Sequence, residues 1–192
     1  MNRTQPEHII RAASAVTDDD EIAVIGSQAV HGQLTNLPPI AFVSREADVY
    51  PANHPERSDD IEGALGEGSQ FDKTFGYYAD GVDATTATLP SGWQQRLVRF
   101  STPNTGGATG LCLGVHDLVL SKYCAGREKA LAFNRALVRH GCVNKKTLFD
   151  LVALMPVDDP TKNLIASRAQ YDFSQQNTAT AVPGSTDRKP RP

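Results

Sequence analysis

Apolar positions recur with helical spacing near the start of the chain, where Ile9, Ile10, Ala13 and Val16 share one face. Thr4 and Glu7 have capping-box spacing and Pro6 suits a first turn, so this stretch is expected to be an amphipathic helix, ended by Asp18-Asp19-Asp20. Ile22-Ala23-Val24-Ile25 then reads as a short strand closed by Gly26. From Ser27 to about Gln33 the residues favour a short helix, with Ser27 suited to cap it. After a turn at Pro38-Pro39 the period changes to two. Glu46, Asp48 and Tyr50 alternate with Ala47 and Val49, the pattern of a strand with one apolar and one polar side.

Downstream, 59–65 reads as a short helix. Residues 75–82 and 95–100 read as strands, joined around Pro90-Ser91-Gly92. A Gly-rich turn over 104–110 leads to a short strand at Leu111-Cys112-Leu113. Helical spacing then returns near His116-Asp117. It continues through Ala130, Phe133 and Leu137, and through Leu148, Leu151, Val152 and Met155 behind a cap at Asn144. Strands first and helices last predict an α+β domain, with a small mixed sheet in about 1–113 and a helical part in about 114–172. From Phe173 to Pro192 the composition is that of a disordered tail.

Composition narrows the class. The chain has 192 residues, of which 40% are hydrophobic, enough for one domain with a packed core. No apolar run approaches the ~20 residues that cross a bilayer, so no membrane partner is expected. The first residues lack the apolar core of a secretion signal, and three cysteines without paired spacing argue against a disulfide framework or a zinc site. The expected location is cytoplasmic. A formal charge of −3 gives no overall attraction to nucleic acid.

The candidate chemistry lies in one ordered arrangement: a strand ending in Gly26-Ser27, a helix, then a strand carrying Glu46 and Asp48. Residues at i and i+2 of a strand point the same way, so Glu46 and Asp48 could grip the same hard cation, for which carboxylate oxygens are suitable donors. Gly26 permits close approach of a phosphate, and Ser27 can donate to its oxygens. Taken singly, Gly26-Ser27 could be an ordinary strand-to-helix turn, and the two acids could be a solvated edge-strand face.

The order resembles the nucleotidyltransferase superfamily. Ser44-Arg45-Glu46-Ala47-Asp48-Val49 looks like the corresponding segment of the minimal, abortive-infection toxin-like members. A closer resemblance is to bacterial nucleotidyltransferase-like proteins of unknown function, the DUF6036 type. It is carried by Gly76-Tyr77-Tyr78-Ala79, Leu89-Pro90-Ser91-Gly92-Trp93, His116 to Lys122, and Ala125 to Lys129. It covers about residues 8–155 and is most family-like over 113–135.

The resemblance implies a nucleotidyltransferase-like fold that transfers a nucleotidyl group from a nucleoside triphosphate, with Glu46 and Asp48 catalytic and holding Mg²⁺, two ions being possible. Gly26, Ser27, Lys122 and Arg127 would bind the nucleotide phosphates. A third metal carboxylate usually completes such a site, and Asp80, in phase with Tyr78 and Val82, and Asp83 are the candidates. Lys122 stands where the toxin-like relatives place a phosphate-binding lysine, and the alternative for it is a lysine snorkelling from a helix surface. Ala130-Leu131-Ala132-Phe133-Asn134 offers no acid where those relatives carry one, so their assignments in this half do not transfer. The acceptor is open among RNA, protein and a small molecule. The rival expectation is a non-catalytic interaction protein of a toxin-antitoxin or phage-defence pair, bound to a cognate partner.

Overall fold

The computed structural model describes residues 1–179. α1 (Thr4–Thr17) precedes a five-stranded sheet of β1 (Glu21–Val24), β2 (Glu46–Pro51), β3 (Tyr78–Gly81), β4 (Val98–Phe100) and β5 (Thr109–Cys112), ordered β3-β2-β1-β5-β4. β1 pairs antiparallel with β2 and parallel with β5, while β2–β3 is parallel and β4–β5 antiparallel. The parallel step from β2 to β3 requires a crossover, supplied by α2 (Ser58–Leu65) and α3 (Gln70–Phe75). α4 (Val115–Ala125), α5 (Glu128–Arg139), α6 (Lys145–Val152) and α7 (Asp159–Ala179) pack on one another as the helical part. The chain is therefore a mixed α+β fold.

Strand alternation sorts the side chains. Ile22 and Val24 of β1, Ala47 and Val49 of β2 and Ala79 of β3 join Ile9, Ile10 and Ala13 of α1 and Ile61 and Leu65 of α2 in the main core. Ala23, Ile25 and Tyr50 point the other way into a smaller cluster that includes Trp93. α2 sits so close to β3 that a Cβ on Gly81 would lie 2.1 Å from the Ser58 carbonyl oxygen.

Local differences from the sequence reading have physical causes. Thr4 lies inside α1 rather than capping it, because Asn2 Oδ1 accepts from both the Thr4 amide (3.1 Å) and the Thr4 hydroxyl (2.7 Å). Glu7, freed from a capping box, is buried and accepts from Asn104 Nδ2 at 2.7 Å. The segment after Gly26 is a short 3₁₀ helix, Ser27–Gly32, whose cap position is Gly26 itself. β3 starts only at Tyr78, since α3 takes the residues before it, with Ser69 Oγ capping its start and Gly76 (φ 75) closing its end.

The expected tail boundary at Phe173 is wrong. α7 continues to Ala179, and residues 180–192 lie outside the described residues. Phe173 is buried with Ile165 and Ala169. The buried Asp172 carboxylate accepts from Tyr123 Oη (2.8 Å) and Arg135 Nε (3.0 Å). A few anchors on one face hold a helix whose overall composition is polar. Among the described residues no helix is long and apolar enough to cross a membrane.

Candidate functional site

Glu46 and Asp48 project from the same side of β2 into one cavity of about 460 Å³, shared with Ser27, Lys122, Arg127 and Lys129. Register puts Asp80 directly beside Asp48 and Tyr78 beside Glu46 on the neighbouring strand. The end of β1 closes on the same point: the Ile25 amide donates to the Asp48 carbonyl oxygen at 3.0 Å. Next to it Gly26 faces the Asp48 carboxylate, and a Cβ there would fall 1.6 Å from Asp48 Oδ2. The φ of Gly26 is −89°, open to any residue, so this glycine is needed for space rather than for its conformation.

The cations come from the turn between two helices. α4 ends at Gly126, whose left-handed φ of 67° lets its amide donate to the Lys122 carbonyl (3.1 Å) and sends the chain back into α5. Lys122, Arg127 and Lys129 thereby surround the cavity. Lys129 Nζ lies 3.3 Å from Glu46 Oε1, and Tyr78 Oη donates to Glu46 Oε2 at 3.4 Å. Lys122 Nζ stands 5.0 Å over the Phe133 ring, so its ammonium is held near an apolar wall.

The ionisable groups disturb one another. Burial, then the negative charges of Asp48, Glu62, Glu46 and Glu67, pushes the Asp80 carboxyl up to about 6. Burial and Glu46 also raise Asp48, while Lys122 and Lys129 act in the opposite direction. Lys122 is lowered by burial, against the attraction of Asp48 and Glu46. Tyr78 is pushed up to about 12 by desolvation and by the surrounding acids.

Among the described residues, no three His, Cys, Asp or Glu side chains gather as a ready-made metal cage. Glu46 and Asp48 nevertheless suit Mg²⁺, which is usually held by one or two carboxylates together with substrate phosphates.

Other expectations resolve individually. Asp83 is a turn acid, its carboxylate accepting from the amide and hydroxyl of Thr85 at 2.6 Å each. Ser27 reaches the cavity, but the helix behind it is a six-residue 3₁₀ turn rather than an α-helix, so it presents local backbone and hydroxyl groups there and no α-helix N-terminus. Ser27 Oγ accepts from Gln28 Nε2 at 3.3 Å. Asp117, buried, does not cap α4; it pairs with Arg96 at 2.6 Å and ties down the loop whose Pro90 and Ser91 carbonyls the same guanidinium binds. His31 is buried and its pKa falls to about 4, chiefly through burial, and His116 Nε2 accepts from the Asn144 amide at 3.0 Å. The sequence reading passed over the Lys129–Glu46 and Tyr78–Glu46 contacts. The period-two pattern shared by β2 and β3 would have revealed only the second.

Searches of protein-family profiles, of curated proteins and of solved structures return no match to this chain.

Proposed function

We propose that this chain is a nucleotidyltransferase-like protein that uses Mg²⁺ to move a nucleotidyl group from a nucleoside triphosphate to an acceptor. The observation that carries the reading is the seat of Asp48 against the bare Cα of Gly26, with Glu46 beside it on the same wall of an open cavity and Lys122 facing both. Glu46 and Asp48 would hold the ion, with Asp80 adjoining; when bound, it neutralises triphosphate charge and acidifies the attacking hydroxyl.

The chain's own residues do the rest. Lys122 and Arg127 take phosphate oxygens and Ser27 Oγ offers a donor, while the missing side chain at Gly26 makes the room that the Asp48 carboxylate occupies. Ile40, Val43 and Phe133 give the same cavity an apolar wall for the nucleoside. The acceptor oxygen bonds to the α-phosphorus as the bond to the β-phosphate oxygen breaks. Pyrophosphate leaves with that electron pair and the acceptor proton passes to solvent.

The test is calorimetry of the four nucleoside triphosphates with Mg²⁺, then incubation of α-labelled nucleotides with cell extract. Wild-type protein is expected to bind and to transfer label, and Asp48→Ala to lose transfer. Transfer that survives in Asp48→Ala, or no nucleotide binding by the wild type, overturns the reading. The absence of a three-carboxylate cage among the described residues favours the second reading, a non-catalytic fold that binds a cognate partner. Its signature is a co-purifying partner without label transfer.

A further inference from the structure

Asp48, Lys122, Arg127 and Ala130 line two cavities, not one. The second, of about 420 Å³, shares these four residues with the first as a common partition. Its floor is the end of β1 at Ile25-Gly26, one wall is α4 through Leu118 and Ser121, and the other is the loop carrying Thr86 and Thr88. The first cavity adds charges of its own, Glu46 and Lys129. The second adds none of its own: its charges are the shared Asp48, Lys122 and Arg127, and the rest of its lining is hydroxyls, the Cys124 thiol and apolar groups.

A transferase needs two substrates that meet at one reacting point, and here two chambers meet at the same carboxylate. The charged chamber is large enough for a nucleoside triphosphate and holds the cations to bind it. We propose that the second chamber seats the acceptor, and that the acceptor is a neutral, hydroxyl-bearing small molecule of sugar or polyol type. Among the described residues the cations lining this chamber are Lys122 and Arg127, the two that take the triphosphate in the reading above, which leaves none along the path of a polyanion such as RNA. Thr88 and Ser121 make no side-chain hydrogen bond among the described residues, so their hydroxyls are available to read an alcohol. The acceptor's oxygen approaches the α-phosphorus past Asp48 and takes the nucleotidyl group, while pyrophosphate leaves on the charged side and the hydroxyl proton goes to solvent.

This inference rests on the nucleotidyl-transfer reading of the first chamber, and the experiment separates the two. Thr88→Trp places bulk in the second chamber from an exposed loop position, and Thr88→Ala removes only the hydroxyl. The probes are myo-inositol, glucose and N-acetylglucosamine, offered beside purified RNA and a protein extract, with α-labelled nucleoside triphosphate and Mg²⁺.

Label is expected on at least one of the neutral probes. Thr88→Trp is expected to cut that transfer at least about tenfold while nucleotide affinity stays within about twofold, because only acceptor positioning is lost. The same probes are also tested without nucleotide, by saturation-transfer NMR, where Thr88→Trp is expected to abolish their signal. Label found only on RNA or protein, or a tenfold loss of nucleotide affinity in Thr88→Trp, overturns the proposal. So does nucleotide binding with neither label transfer to a neutral probe nor an NMR signal. Failure of the wild type to bind nucleotide, with the Thr88-dependent NMR signal intact, instead defeats the nucleotidyl-transfer reading and leaves the chamber's ligand class standing.

Discussion

The two faces of the sheet are built from alternate residues of the same strands, yet they have opposite properties. Ala47, Val49 and Ala79 face α1 and α2 and are almost fully buried. Glu46, Asp48 and Asp80, their immediate chain neighbours, face the cavity side and crowd like charges together. The first face supplies stability through apolar burial, while the second holds repulsion that the fold tolerates because the first is well sealed. The raised pKa values of Asp48 and Asp80 reflect burial first and that repulsion second.

Putting the chemistry of one face on the other is the most damaging change. Val49→Asp buries an unpaired carboxylate in the main core and is expected to cost more than about 4 kcal/mol, unfolding the chain in denaturant titration. Asp48→Ala, one residue away, is expected to be neutral or mildly stabilising in the same titration, since it removes a carboxylate held above its ordinary pKa. Equal losses from the two substitutions would mean that Asp48 is a structural group.

Gly26→Ala tests the junction of the two regions at smaller cost. Its Cβ must displace the Asp48 carboxylate, so about 1–3 kcal/mol of stability and at least tenfold in nucleotide affinity are expected to go. Gly63→Ala is the control, because the same methyl inside α2 meets nothing within 4 Å and is expected to stabilise by up to about 1 kcal/mol. Unchanged nucleotide affinity in Gly26→Ala would show that the close contact has no part in binding.

These contrasts also show what could be read from the chain. Period-two alternation made Glu46 and Asp48 visible as one side of a strand, because that side is dictated locally. The same logic put Asp80 in phase with Tyr78, but only strand pairing sets Asp80 rather than Asp83 beside Asp48. Lys122 and Arg127 were legible as a cationic group. Their delivery to the cavity depends on the left-handed turn at Gly126 and on helix packing, neither of which a pattern reports. α7 was not read as an element of its own, only as the end of a helical part closing at about 172, because its anchors include an ion pair to Arg135, a hydrogen bond from Tyr123 and the ring of Phe173, all fixed by tertiary contacts.

Asp80→Asn probes the charge on the polar face directly. The Asp80 carboxyl has a folded value of about 6 against an ordinary 3.8, so the protein favours its protonated form. The associated stability is complete below about pH 4 and is lost as pH rises through about 6. Asp80→Asn is therefore expected to be more stable than wild type above pH 7, by about 1 kcal/mol after allowing for solvent screening, or about 2–4 °C in Tm. The difference is expected to vanish at pH 4. Added Mg²⁺ is expected to raise the wild-type Tm above pH 7 and to lose that effect as pH falls through 6, because protons then compete for the same oxygens. A Tm difference independent of pH would remove charge repulsion as its cause.

The smallest expected effect lies on the rim. Lys129 Nζ and Glu46 Oε1 are 3.3 Å apart, but the lysine side chain is 76% exposed, so Lys129→Ala is expected to change stability by less than about 0.5 kcal/mol. Its electrostatic effect reaches farther than its energetic one. Lys129 helps hold the raised Asp48 carboxyl down, so its removal is expected to move the Asp48 titration further upward, read by carboxylate NMR at low salt. Added salt is expected to shrink the shift, since an exposed ammonium is screened within about 8–10 Å at ordinary ionic strength. A stability loss above about 1 kcal/mol with no movement of Asp48 would reverse the assignment, making Lys129 a brace between α5 and β2 rather than a source of potential on the charged face.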